Sequence, residues 1–141
     1  SEILALQGEG TEAKGVDSQE GVETALNASK KLAKKHNCTI FVTGVTDIIT
    51  DGVRVTRVSG GSSLMSSVTA IGCSLTCLVG AFAAITDPFT ASVSAATLFA
   101  EAGHKAKLNA NGPGSFRMHF IDQLSCVNPH NFSNLKWADS V

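Results

Sequence analysis

The sequence predicts an α/β fold with few strands, and three features of its 141 residues indicate it. Apolar residues recur at helical spacing between residues 22 and 33. A short β-branched run follows at 38–42 and leads into two strand-like segments on either side of Asp51-Gly52. Beyond residue 70, glycine and proline separate three further helical segments. The order helix, strand, hairpin, helix, helix, helix is that of an α/β protein.

Two helical segments are predicted before the first strand. Residues 1–6 form a short one, and the glycines within 7–17 predict a loop. Asp17 or Ser18 can cap the next helix, whose apolar face comes from residues 22–33. Lysines crowd its last turns, where they oppose the negative end of the helix dipole. We interpret this basic run as a solvated face, in preference to a phosphate-binding or membrane-binding patch.

The strands are predicted to form only part of a sheet. Cys38–Val42 is apolar and β-branched and ends at Thr43-Gly44, which predicts a strand buried on both faces, as in parallel sheets. Segments 45–50 and 53–58 flank Asp51-Gly52, a pair suited to a two-residue type I′ turn, and predict an antiparallel hairpin. A buried parallel strand needs neighbours on both sides. The chain offers too few candidates, so the sheet is expected to be incomplete.

The second half is predicted to be helical. Thr86 or Asp87 can cap the middle helix, with Pro88 in its first turn. The tail at 127–141 is weakly specified, and we assign the whole of 1–141 to one portion of a single domain. The three helices are expected at about 72–85, 88–103 and 112–126.

Composition and charge exclude several classes of protein. Hydrophobic residues make up 43% and charged residues 16%, which is too apolar for a disordered chain. The formal net charge is −1, so there is no basic excess for general nucleic-acid binding. Between residues 58 and 100 only Asp87 is charged, which raises the possibility of a membrane hairpin. Glycine, serine and threonine interrupt that stretch, and helices buried inside a larger protein are the favoured interpretation.

The cysteines and the first residues bear on location. Four cysteines form no dense framework, and we expect reduced thiols in an intracellular protein. No basic segment followed by an apolar one comes after Ser1, so no secretory signal is expected. Together these features predict a cytoplasmic location and no association with membranes.

The most informative segment is Val68–Ser74, where a loop of small residues leads into an apolar helix. The backbone N–H groups of Gly72, Cys73 and Ser74 would be unpaired within the helix and would point at a negatively charged ligand. Cysteines at helix N-termini can accept a proton or attack an electrophile. The alternative stays open that Cys73 is a small apolar residue at the start of a buried helix.

Other side chains carry weaker signals. Thr43-Gly44 follows a strand, the position at which open α/β sheets bind ligands. Cys77 shares a helix face with Cys73, but no further cysteine or histidine has the spacing of a zinc site. Three carboxylates are candidate metal ligands, although a turn or a solvated strand edge explains two of them equally well: Glu2, Asp47 and Asp51.

Taken together, these motifs resemble hydroxyethylthiazole kinase, a thiamine-salvage family within the ribokinase-like group. The segment Thr-x-x-Gly-Cys-Ser with a downstream Gly-Pro-Gly-Ser-Phe is fairly specific, whereas the Thr-Gly pair is not. The matching residues occur in order across most of the chain: Ser1-Glu2-Ile3, Gly15-Val16-Asp17, Thr43-Gly44 with Asp47 and Asp51, Val68 to Leu75, Gly80-Ala81-Phe82, and Gly112-Pro113-Gly114-Ser115-Phe116.

The resemblance implies a ribokinase-like αβα arrangement, present here as its C-terminal part, and an ATP-dependent kinase. The implied reaction phosphorylates the hydroxyl of 4-methyl-5-(2-hydroxyethyl)thiazole with ATP and Mg²⁺, and the implied assembly is a homotrimer. The implied site residues are Cys73 beside the substrate hydroxyl, as proton acceptor or positioner, an anion hole from Gly72, Cys73 and Ser74, Thr43 on ATP, Ala70 on the thiazole, and Glu2 on the metal.

Departures from the family pattern leave alternatives open. The family chain is much longer, and Ala70 stands where many members have glycine. Ser66-Ser67 stand where many members carry a lysine. The alternatives are another ribokinase-like vitamin kinase, acting on hydroxymethylpyrimidine or pyridoxal, and a truncated non-catalytic module for nucleotide binding or assembly.

Overall fold

The computed structural model describes residues 19–126 and 136–139, together with Ile3 and Leu6, which are helical. The predicted loop at 7–17, the cap at Asp17 or Ser18 and most of the tail lie outside the described residues. The elements are α1 (Gln19–His36), β1 (Ile40–Val42), β2 (Thr46–Thr50), β3 (Val55–Ser59), a 3₁₀ helix (Ser63–Ser67), α2 (Ile71–Ala83), α3 (Pro88–Lys107), α4 (Pro113–Cys126) and β4 (Lys136–Asp139).

The described strands form one antiparallel sheet in the order β1-β2-β3-β4. The α/β class is therefore confirmed, but β1 differs from its prediction. It pairs antiparallel with β2, its three residues are all half-buried, and no described strand lies on its other edge. The apolar, β-branched composition of β1 predicts burial on both faces, which these neighbours do not provide. In the predicted weak tail, β4 pairs with β3, and no strand was expected there.

The hairpin between β2 and β3 is confirmed, but its predicted two-residue turn is wrong. Thr50 pairs with Val55, which leaves four residues in the connection. The Asp51 carboxylate accepts hydrogen bonds from the amides of Val53 and Arg54, at 2.9 and 2.7 Å, and so satisfies the wider loop. Gly52 has φ +91°, and a Cβ there would lie 2.5 Å from Cγ of Lys34 in α1. The loop is therefore shaped by its contact with α1 as well as by its own sequence.

Helices cover both faces of the sheet. On one face, Leu26 of α1 packs with Ile48 and Val55. On the other, Phe89 and Val93 of α3 pack with strand residues that include Ile49. The side of α3 away from the sheet is covered by α2 and α4 through a cluster of Leu75, Ala95, Phe99, Ala102, Ala106, Phe116 and Phe120. The layers are thus α1, sheet, α3, and then α2 with α4.

The central helix α3 is the most buried element of the described chain. Asp87 caps it as predicted, and its side chain accepts from the amides of Phe89 and Thr90. It continues through Gly103 to Lys107, one turn beyond the predicted end, since Gly103 is held in packing rather than at a C-cap. Glu101 within it is 1% exposed, and its carboxylate contacts Lys105 Nζ at 3.1 Å.

Candidate functional site

Helix α2 begins at Ile71, one residue earlier than predicted. Ala70 is the N-cap, in the left-handed conformation with φ 71° and ψ 4°, and its side chain cannot cap the helix. A residue without a Cβ would adopt this conformation at less cost, which gives a physical reason for glycine at the matching family position. The carbonyl oxygen of Ala70 accepts hydrogen bonds from both the amide and the hydroxyl of Ser74, each at 2.9 Å.

This hydrogen bonding corrects part of the predicted anion hole. The amide of Ser74 was expected to be unpaired, but it donates to Ala70 within the first helical turn. The amides of Gly72 and Cys73 lie at the second and third helical positions, where a helix offers no carbonyl partner. Ile71 takes the place of Ser74 as the third such amide. A helix start placed one residue earlier would have identified it.

The start of α2 is exposed in the described chain. Gly72 and Cys73 are both exposed, and a Cβ placed on Gly72 would meet nothing within 4 Å. The open space would admit a phosphoryl group to the backbone. Cys77, one turn further along, is exposed as well, and Leu75 between them is the residue that α2 buries. Cys73 is therefore not part of the core that the described residues form.

The second predicted contact region follows β1. Thr43 and Gly44 directly follow the strand, as predicted, and both are exposed. The amide of Gly44 donates to Oδ1 of Asp47 at 2.9 Å, which holds the turn after Thr43. Burial raises the pKa of Asp47 to about 6, against the opposing effect of the Gly44 hydrogen bond. Phe41 of β1 packs against the same apolar cluster as Leu75 of α2, so the two regions are joined through the core.

The described residues do not form a metal centre. Glu2 lies outside them, and within them no three histidine, cysteine or acidic side chains are grouped to hold an ion. Asp51 is occupied by the turn and by Arg54, whose Nε lies 2.6 Å from Oδ2. Asp47 is occupied by the Gly44 amide. The Mg²⁺ that the resemblance implies therefore has no assigned ligand among these side chains.

One observation bears on membranes. Among the described helices, none combines the length and the apolar character that crossing a bilayer requires.

Comparison with known proteins identifies the family. A sequence model described as "HK: Hydroxyethylthiazole kinase family" matches residues 1–130. The chain belongs to the hydroxyethylthiazole kinase family. A relative named hydroxyethylthiazole kinase from Gemmatimonas aurantiaca is 53% identical over 133 residues, which are 94% of this chain and 48% of that protein. Another of the same name, from Roseobacter denitrificans, is 48% identical over 96% of this chain and 52% of its own length.

A solved structure supports the fold of this family member. The hydroxyethylthiazole kinase protein of Pyrococcus horikoshii matches with a TM-score of 0.86 and 35% identity, over 99% of this chain and 52% of the other. The predicted fold class is confirmed by this match. The chain spans about half the length of the hydroxyethylthiazole kinases that it matches.

Proposed function

We propose that the protein carrying this chain is an ATP-dependent kinase of 4-methyl-5-(2-hydroxyethyl)thiazole that acts in thiamine biosynthesis and salvage. Family membership supports a kinase and supplies the class of substrate. The observation that carries the proposal is the start of α2, where Gly72 and Cys73 are exposed and their amides lie at helical positions that no helix carbonyl can pair. That arrangement suits an anion that moves onto a neighbouring hydroxyl.

In the proposed reaction, the hydroxyl oxygen of the alcohol bonds to the γ-phosphorus while the bond to ADP breaks. The amides of Gly72 and Cys73 stabilise the charge on the transferring phosphoryl group. Ile71, whose amide lies in the same turn, adds to this set. Cys73 lies at the hydroxyl, either as a thiolate that accepts its proton or as a positioner, in which case the proton passes to solvent.

The other site residues are proposed on the resemblance and on their placement. Thr43 contacts ATP at the end of β1, where its exposure leaves it accessible. Ala70 contacts the thiazole, two residues before Gly72. Glu2 remains a proposed ligand of Mg²⁺, although it lies outside the described residues. Assembly as a homotrimer and a cytoplasmic location belong to the same proposal.

The test uses the complete gene product that carries this sequence, with ATP, Mg²⁺ and the thiazole alcohol. The phosphorylated alcohol is followed by mass spectrometry, with hydroxymethylpyrimidine and pyridoxal as competing substrates. Faster turnover of either competitor would favour the other vitamin kinases, and no turnover of any substrate would favour a non-catalytic module.

Cys73→Ser tests the thiol, and Cys77→Ser is the matched control one turn along the same exposed face. We expect Cys73→Ser to lower kcat by about 10²-fold or more with a smaller change in KM, since general acid–base groups contribute on that scale. Cys77→Ser should stay within about threefold of the parent. Equal kcat values for Cys73→Ser and the parent would remove the thiol from the mechanism.

A further inference from the structure

The segment that leads from β3 into α2 lies directly on the backbone of α3. A Cβ built on Gly103 of α3 would lie 2.6 Å from Sδ of Met65 and 3.2 Å from Cα of Gly61. A Cβ on Gly61 would lie 2.8 Å from the same sulfur, and Gly61 has φ +76°. Two glycines from separate elements therefore enclose one methionine side chain, and a methyl group on Gly103 would press both on that side chain and on the Gly61 backbone.

The chain between this contact and the start of α2 is short and held by hydrogen bonds. Met65 N–H donates to the carbonyl of Ser62 at 3.0 Å, and Val68 N–H donates to the carbonyl of Met65 at 3.2 Å. Only Thr69 and Ala70 separate Val68 from the helix. A displacement of the backbone between Gly61 and Met65 would therefore move the first turn of α2, because little flexible chain lies between them.

We infer that the close packing of Gly61 against Gly103, with the Met65 side chain beside it, sets the place of the α2 N-terminus, with its amides and Cys73, relative to α3. This inference rests on the proposed function for its catalytic consequence. None of the three is proposed to touch substrate. Their role follows from close backbone packing, which fixes the distance between α3 and the segment that leads from β3 into α2.

Gly103→Ala in the complete gene product is the principal test. The added methyl group presses on the Met65 sulfur and on the Gly61 backbone, and the shift of that backbone displaces the first turn of α2. We therefore expect kcat to fall by about tenfold or more, while KM for ATP changes by less than about threefold. Removing the methionine side chain makes room for the methyl group, so Met65→Ala combined with Gly103→Ala should regain most of the lost kcat.

Gly80→Ala is the matched control, because Gly80 is also inside a helix and a Cβ there would meet nothing within 4 Å. Both substitutions improve helix propensity equally, so any difference between them reports the contact with Met65. Gly80→Ala should melt at or above the temperature of the parent and leave the Cys73 environment unchanged.

A readout independent of turnover is the alkylation rate of Cys73 relative to Cys77 by iodoacetamide, resolved by peptide mass spectrometry. Gly103→Ala should change this ratio by about threefold or more, and the double variant should restore it. A folded Gly103→Ala protein with the parent ratio would overturn the inference. So would a Gly103→Ala variant that fails to fold and is not rescued by Met65→Ala.

The proposed function can fail separately from the positioning role. If the alkylation ratio changes and is restored as expected, but neither the parent nor any variant phosphorylates the alcohol, the positioning of α2 stands and the kinase proposal does not.

Discussion

Asp47 shows how one side chain can serve a turn at a cost in stability. Its carboxylate accepts the Gly44 amide at 2.9 Å, yet burial raises its pKa from 3.8 to about 6. The folded state therefore binds the proton more tightly than the unfolded chain does. The stabilising contribution of the protonated group is complete below about pH 4 and is lost as the pH rises through about 6.

Asp47→Asn tests this sign, because asparagine keeps an oxygen acceptor for Gly44 but does not titrate. We expect the free energy of unfolding of the variant to exceed that of the parent by roughly 1–3 kcal/mol at pH 8. The advantage should disappear by about pH 4. Urea unfolding at both pH values measures the difference, in which other titrating groups cancel. A difference that does not vary with pH would contradict the raised pKa.

At the scale of the element, the N-terminus of α2 combines a strained cap with exposed amides. Ala70 holds φ 71° without a side-chain cap, in a region that costs a residue with a Cβ about 1–2 kcal/mol. Because Thr69 and Ala70 are the last residues before the helix, this strain lies beside the proposed phosphoryl site. The strain belongs to the backbone, and so it can be tested without substrate.

Ala70→Gly should raise the free energy of unfolding by about 0.5–1 kcal/mol, since glycine adopts this conformation freely. Ala81→Gly is the matched control, because Ala81 is exposed within the right-handed part of the same helix. It should lower the free energy of unfolding by about 1 kcal/mol. Chemical denaturation of the parent and both variants measures whether each substitution raises or lowers the free energy of unfolding. A loss of stability in Ala70→Gly would show that the left-handed cap is not strained.

The bounds of the elements were largely predictable because local signals set them. Asp87 with Pro88 marks the start of α3, and Gly112 with Pro113 precedes α4, as expected from capping chemistry. The turn after Thr50 could not be predicted from the sequence, because the hydrogen bonds of Asp51 and the contact of Gly52 with α1 favour a four-residue loop. Its shape depends on a helix distant in sequence, which no dipeptide preference includes.

At the scale of the molecule, two features of the described chain are only partly covered. Leu75 is the one buried residue of α2, and four further apolar side chains of that helix are only partly buried: Ile71, Leu78, Val79 and Phe82. The free edge of β1 has no described strand beside it. The relatives from Gemmatimonas aurantiaca and Roseobacter denitrificans are each about twice as long as this chain. Uncovered apolar helices and strand edges bind hydrophobic probes and other chains.

The 141-residue chain on its own should therefore bind 8-anilinonaphthalene-1-sulfonate and show little turnover of the thiazole alcohol. Dye fluorescence, compared between the chain and the complete gene product that carries it, measures the exposed apolar surface. This expectation would be contradicted if the chain alone melted cooperatively, gave no dye fluorescence and phosphorylated the thiazole alcohol as fast as the complete product.

Local chemistry in the sequence determined the helices, the hairpin and the family motif around Cys73, because capping, periodicity and glycine placement act over a few residues. The structure places the start of α2 one residue earlier than the sequence predicted, so the carbonyl of Ala70 takes the Ser74 amide. Only the tertiary structure brought Gly61 against Gly103 with Met65 enclosed. Contacts between elements that are far apart in the chain depend on how the layers of the fold pack together. No local sequence pattern specifies the distance between two layers.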